Sequence, residues 1–187
     1  MLPRSPRRQD LRRAVACLRS GGILAYPTEG VWGLGCDPRQ LRAFRKILQA
    51  KRRPQKKGVL LITGQERHAR KYYQDGLPLA LNPASYWPGT TLVLPARADC
   101  PRWIRGRHSG IALRVSAHPG VQRLSAAFGG AIVSTSANPA GKKPARSLRA
   151  VQRYFGRRIT VLPARLGGAR RPSRILDARS GKVLRSG

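Results

Sequence analysis

Lys51-Arg52-Arg53-Pro54 and Ser134-Thr135-Ser136-Ala137-Asn138 are the two segments of this chain whose side chains could do chemistry together. Lys51 offers a point charge and Arg53 a planar guanidinium fork, a combination suited to phosphate oxygens and a carboxylate. Ser136 and Asn138 add a hydroxyl and an amide, which can donate to phosphate or accept from an amine. Each pair also has a plainer reading. Lys51 and Arg53 follow a predicted helix, where cations are favourable even in a solvated loop. Ser136 and Asn138 could bond their own backbone in the turn that ends at Pro139-Ala140-Gly141. Lys56 and Lys57 make the first loop still more basic.

Three further positions invite a ligand. Thr28 and Glu29 follow Pro27 at the end of a predicted strand, where Thr28 could orient a small substrate and Glu29 could hold an ammonium or a metal; an ordinary turn or capping pair is the alternative. Arg114 lies inside the apolar run Ile111-Ala112-Leu113-Arg114-Val115. A buried arginine needs an acidic partner or an anionic ligand, because an unpaired charge costs several kcal/mol, roughly; otherwise it escapes at a sheet edge. His68, His108 and His118 are far apart and read as surface or capping residues. Gly33-Leu34-Gly35 is too short for a dinucleotide fingerprint, and there is no GxxxxGK[ST] segment. No Ser-His-Asp or Cys-His pattern supports hydrolysis, so positioning and charge stabilisation are the expected strategy.

Alternating elements must place these groups. Leu11, Ala14, Val15 and Leu18 predict a helix over 9–19, stopped by Gly21-Gly22. Ile23 to Tyr26 reads as a strand, 28–38 as a Gly-rich loop, 39–50 as a helix and 58–62 as a strand. A helical stretch interrupted at Gly76 and Pro78 is expected over 65–85. Strands follow at 90–94, 111–115 and 131–134, with helices at 118–128 and near 147–155. Short β segments near 159–162, 173–177 and 182–185 complete the pattern. The alternation predicts an α/β fold, one twisted mixed sheet flanked by helices. A basic, flexible N-terminus over 1–8 precedes a single domain over 9–187.

Composition bounds the setting. The formal charge is +31, from 38 Lys and Arg against 7 Asp and Glu, and such a surface attracts polyanions, tRNA or other RNA first among them. Composition bias is the competing explanation. Cys17, Cys36 and Cys100 show neither zinc nor disulfide spacing, which suits a reducing compartment. Neither a secretory leader nor a membrane span is legible, and a cytoplasmic protein is the expectation.

The ordered set of motifs resembles the YrdC/TsaC family of threonylcarbamoyl-AMP synthases. It comprises Gly22 to Glu29, Trp32-Gly33-Leu34-Gly35-Cys36-Asp37, Lys51-Arg52-Arg53-Pro54, Trp87-Pro88-Gly89, Ala112 to Val115, His118-Pro119, Ser134 to Asn138, and Pro172-Ser173 to Asp177. The resemblance implies a YrdC-like domain that joins L-threonine, bicarbonate and ATP, with Mg²⁺, into threonylcarbamoyl-AMP and pyrophosphate. A separate tRNA threonylcarbamoyl-transferase complex would use the product to make threonylcarbamoyladenosine. By the same resemblance Lys51 and Arg53 are the catalytic pair, Ser136 and Asn138 bind nucleotide and intermediate, and Thr28, Arg114 and Ser173 are further substrate contacts. Gly30, and Arg170-Arg171 ahead of Pro172-Ser173, depart from the family pattern, and Gly30 should loosen its loop. The alternatives are a non-catalytic protein of the same fold that binds double-stranded RNA or tRNA, and a carbamoyl-transfer domain of the hydrogenase-maturation type. The latter class is longer and has Cys-rich zinc segments that this chain lacks.

Overall fold

Helical spacing puts Leu11, Ala14, Val15 and Leu18 on one stripe, and all four are buried in helix α1 (Arg8–Arg19). The computed structural model describes residues 5–54, 58–74, 76, 78–157 and 159–187. Arg123 donates to Ser5 Oγ at 2.8 Å and to the Pro6 carbonyl at 2.7 Å, which ties the chain ahead of α1 to the domain. The elements that follow are β1 (Leu24–Pro27), β2 (Trp32–Cys36), α2 (Leu41–Lys51), β3 (Leu60–Thr63), β4 (Thr91–Pro95), α3 (Arg102–Arg105) and β5 (Gly110–Val115). Then come α4 (Pro119–Phe128), β6 (Ile132–Ser136), α5 (Leu148–Phe155), β7 (Thr160–Val161), β8 (Ile175–Asp177) and β9 (Val183–Arg185). The strands form one sheet in the order β7-β1-β2-β6-β3-β5-β4-β8-β9. Three pairs, β1/β7, β3/β5 and β4/β8, are parallel and the others antiparallel, so the sheet is mixed as expected.

Strand alternation divides the core. On one face Cys36, Val133, Leu61, Leu113 and Leu92 pack with Ala43, Phe44 and Ile47 of α2 and Ile104 of α3. On the other, Leu24, Tyr26, Ile62 and Ile132 lie under α1 and α4, against Val121, Leu124 and Phe128. The helices do not cover all of this second face. Leu60, Ala112, Arg114 and Val93 are only half-buried there, and cross-strand pairing lines them up: Leu60 opposite Ala112, Val93 opposite Ala112, Thr91 opposite Arg114. With Glu29 of the turn after β1 reaching Arg114 over it, this open strip forms the floor of a cleft.

Two expectations fail locally. The loop expected over 28–38 contains β2, fully buried, whose Trp32, Leu34 and Cys36 alternate with two glycines. The helical stretch expected over 65–85 consists, among the described residues, of 3₁₀ turns at Glu66–His68, Arg70–Tyr72 and Pro83–Ser85. Its backbone is satisfied by distant partners instead: Gln74 N–H donates to the Pro95 carbonyl at 2.9 Å, and Leu81 N–H to that of Ala178 at 3.1 Å. The short helix α3 had no sequence signal.

Candidate active site

Helix α2 ends in a Schellman turn. Arg53 N–H donates to the Leu48 carbonyl and Arg52 N–H to that of Gln49, both at 3.0 Å, with Arg52 in the left-handed region at φ 50°. Glycine is the usual residue there, because a Cβ costs roughly 1–2 kcal/mol in that conformation. The reversal sends Lys51 inward, where it is 3% exposed. Its ammonium donates to the carbonyls of Ser136 and Asn138, the latter at 2.6 Å. The Lys51 carbonyl in turn accepts from Ala140 N–H at 2.7 Å. Side chain and backbone of one residue therefore join the end of α2 to the loop after β6. Burial first, and the Arg53 charge second, bring the Lys51 pKa down to about 8.

Arg53 donates Nη2 to the Gly58 carbonyl at 3.0 Å, while its Nε is buried without a hydrogen-bond partner. Burial also lowers its pKa from the ordinary arginine range. Neither cation belongs to the ion pairs found among the described residues. Asn138 spends its Nδ2 on the carbonyls of Pro139 (3.0 Å) and Lys142 (2.6 Å), closing its own loop, but its Oδ1 is buried without a partner. Lys56 and Lys57 lie outside the described residues.

The remaining candidates gather elsewhere in the cleft. Arg114 Nη2 stands 2.9 Å from Glu29 Oε2, with side-chain exposures of 13% and 20%. The contact is an ion pair by distance but is not an aligned hydrogen bond, and Arg114 Nε also lacks a partner. Glu29 Oε1 accepts from Ser116 Oγ at 2.7 Å. In a flat sheet β1 and β5, with three strands between them, would lie about 19 Å apart. The meeting of Glu29 and Arg114 therefore requires the sheet to curl and the turn after β1 to fold over its concave face. That turn is held by Gly167 N–H on the Thr28 carbonyl (3.0 Å) and Ala169 N–H on the Glu29 carbonyl (2.7 Å). Gly30 is packed there rather than loose, since an added Cβ would stand 3.2 and 3.3 Å from the carbonyls of Ala169 and Arg171. Thr28 Oγ1 donates to the Val31 carbonyl at 2.8 Å, a turn bond within its own loop.

Ser173 lies just ahead of β8, its Oγ 2.9 Å from Thr91 Oγ1, and Thr91 is the β4 partner of Arg114. Arg185 of β9 reaches back to the Ser173 carbonyl at 2.6 Å and to Ser173 Oγ at 3.3 Å. Burial, then the Arg114 charge, lowers its pKa, so the two guanidinium groups feel each other. Along the strands Ser136 and Arg114 are offset by four positions, because Ile62 pairs with both Ile132 and Arg114. That offset is about 13 Å, with β3 between the two strands.

Residues without a chemical reading in the sequence pack the sheet beside the floor or reach its edge. Tyr26 donates to Ser134 Oγ at 2.6 Å, crossing β2 to reach β6. It passes over Gly33 and Gly35, where a Cβ would stand 3.1 and 2.8 Å from its ring. Ser116 and Arg185 were also missed; the proximity of Ser116 to Arg114 in sequence was the signal available. His118, expected on the surface or as a cap, is 3% exposed and caps α4, its Nδ1 accepting from Gly120 N–H at 3.1 Å. A separate cavity of about 570 Å³ is lined by Cys17, Ile23, Leu34, Ala50, Tyr154 and Phe155. Leu34 points to the opposite sheet face, so that cavity is not the polar cleft.

Known proteins are similar to this chain in sequence and fold. The Sua5/yciO/yrdC family model, described as "Telomere recombination", matches residues 16–187. A threonylcarbamoyl-AMP synthase of Halorhodospira halophila is 50% identical over 184 residues, covering 94% of this chain and 93% of that protein. One from Marinobacter nauticus is 47% identical, covering 97% of each. Among solved structures, P. abyssi Sua5 complexed with L-threonine superposes with a TM-score of 0.80 at 27% identity, over 94% of this chain and 53% of that one. The present chain thus spans about half the length of the P. abyssi protein. E. coli YciO shares the fold, with a TM-score of 0.79 at 21% identity over 99% of this chain and 92% of that one. Matched by the family model over residues 16–187 and half identical to a relative over nearly its full length, the chain belongs to the Sua5/yciO/yrdC family.

Proposed function

We infer that this chain is a threonylcarbamoyl-AMP synthase, a nucleotidyltransferase that makes the L-threonylcarbamoyladenylate used in tRNA threonylcarbamoyladenosine modification. The observation that carries the reading is the concave face. It has two cations without carboxylate partners at one end, Lys51 tied to the Ser136 and Asn138 carbonyls and Arg53 to that of Gly58, and the Arg114–Glu29 pair elsewhere on the same cleft. The close relatives named above, which cover nearly the whole chain, support it.

The reaction combines threonine's amine with bicarbonate to give a carbamate and water. A carbamate oxygen then attacks the α-phosphorus of ATP, and pyrophosphate leaves. Two of the three Lys51 N–H groups are spent on carbonyls, so one is left for a phosphate oxygen. Arg53 presents its fork beside it. The two cations neutralise charge that grows on the departing pyrophosphate, in a site where donors are already oriented and need not reorganise. Ser136 and the unpartnered Asn138 Oδ1 hold the nucleotide and the carbamate. Thr28, Arg114 and Ser173 receive threonine, with Arg114 facing its carboxylate. Among the described residues no three His, Cys, Asp or Glu side chains group as metal ligands. Mg²⁺ would accompany ATP as part of the substrate and neutralise phosphate charge.

Among the described residues no helix is long and apolar enough to cross a membrane, and the three cysteines are free thiols; a reducing cytoplasm suits them. The charge of +31 favours an accompanying contact with tRNA or double-stranded RNA, and the product passes to a threonylcarbamoyl-transferase complex. RNA binding without catalysis is the second reading, favoured by that same charge. The deciding assay is threonine-dependent pyrophosphate release from ATP. Lys51→Ala and Arg53→Ala should each lower it by about 10²-fold or more. Near-normal turnover in both variants, or a wild-type protein that binds RNA but releases no pyrophosphate, would overturn the assignment.

A further inference from the structure

Glu29 sits in a cleft otherwise dominated by cations, and its contacts separate two jobs. Ser116 holds Oε1 at 2.7 Å, and Oε2 stands 2.9 Å from Arg114 Nη2. The backbone beneath is clamped as well. Ala169 N–H donates to the Glu29 carbonyl, and Gly167 comes so close that a Cβ there would stand 2.8 Å from the Glu29 Cα. This carboxylate is thus fixed in place, facing the Arg114 guanidinium.

We propose that Glu29 is a positioning and specificity residue: it orients Arg114 in the cleft and cancels its charge, so that this end takes a monocarboxylate and rejects phosphate. Charge matching is the reason. Lys51 and Arg53 carry no carboxylate partner among the described ion pairs and suit a polyanion. Arg114 is neutralised by Glu29, and one residual positive charge remains nearby on Arg185, whose guanidinium is already engaged with Ser173. A single carboxylate balances that set, whereas a phosphate dianion or triphosphate would face Glu29 at close range. Without Glu29, Arg114 and Arg185 would form a double-guanidinium trap of the kind that captures phosphate. In a chain of net charge +31, where anions are drawn to every surface, one carboxylate placed here separates the two substrates.

The inference rests on the reading that Arg114 faces threonine's carboxylate. Wild-type turnover, together with a raised threonine KM in Arg114→Ala, tests that reading separately. With both in hand, Glu29→Gln keeps the side-chain size and removes the charge. It should raise the KM for threonine about tenfold or more while leaving the KM for ATP within about twofold. It should also make inorganic phosphate, the probe, a competitor of threonine about tenfold stronger than it is against wild type. Ser116→Ala keeps the Glu29 charge but frees the carboxylate, so it should raise the threonine KM without admitting phosphate, and it remains informative should Glu29→Gln fold poorly. An unchanged threonine KM in both variants overturns the proposal. So do equal losses for threonine and ATP, which mark a merely structural role, and phosphate inhibition in Glu29→Gln no stronger than in wild type.

Discussion

Lys51 shows how a single residue is prepared by its surroundings. Its ammonium is almost fully buried against two carbonyls and beside Arg53, and the resulting pKa of about 8 lies well below that of a solvated lysine. A group lowered in this way is cationic below that value and loses its proton as pH rises through it. The kcat/KM for ATP, which reports the free enzyme, should therefore fall from about pH 8 upward. Bound phosphates favour the cation, so kcat should hold to higher pH. A kcat/KM profile flat to about pH 10 would show that Lys51 keeps its proton or plays no part. Residue types marked Lys51 and the Ser136–Asn138 segment as candidates but left a solvated basic loop and a self-bonded turn open; the family resemblance was what paired them. That Asn138 spends its Nδ2 on its own loop was also among the readings open there, and both descriptions hold for different atoms of one side chain.

At the scale of elements, β2 decides how the buried half of the sheet beside the cleft is packed. Gly33 and Gly35 gave this segment the look of a loop, yet they are the positions over which the Tyr26 ring crosses to Ser134. A side chain at Gly35 would stand 2.6 Å from the Val133 carbonyl as well as meeting Tyr26. Gly35→Ala should destabilise the fold by about 1–3 kcal/mol, the cost of overpacking a filled site, read as a lowered denaturant midpoint with an unchanged slope. A wild-type midpoint would mean that the ring yields freely. The helices α1, α2, α4 and α5 were legible because each carries its own apolar stripe. The stretch 65–85 was not, because its hydrogen bonds go to Pro95 and Ala178, far away in sequence, and no local pattern encodes them.

For the whole molecule the dominant quantity is charge. Six of the seven carboxylates lie among the described residues, and three of those form ion pairs there, which leaves the cationic excess open to solvent and to polyanions. If the excess serves RNA, binding of duplex RNA or tRNA should weaken linearly in log affinity against log salt, with little sequence preference. Filter binding from about 50 to 200 mM salt reads the slope, and undetectable binding at the low end would assign the charge to composition bias. Composition, the helical stripes and most strands of the α/β alternation were determined by the sequence alone, because each is written in residue type and short-range spacing. So was the set of polar groups available for chemistry. Only the tertiary structure decided the strand order and the curl of the sheet, and with them that Glu29 reaches Arg114 across three intervening strands. Such contacts depend on pairings between distant segments and on the packing that bends them together, and neither leaves a periodic mark in the chain.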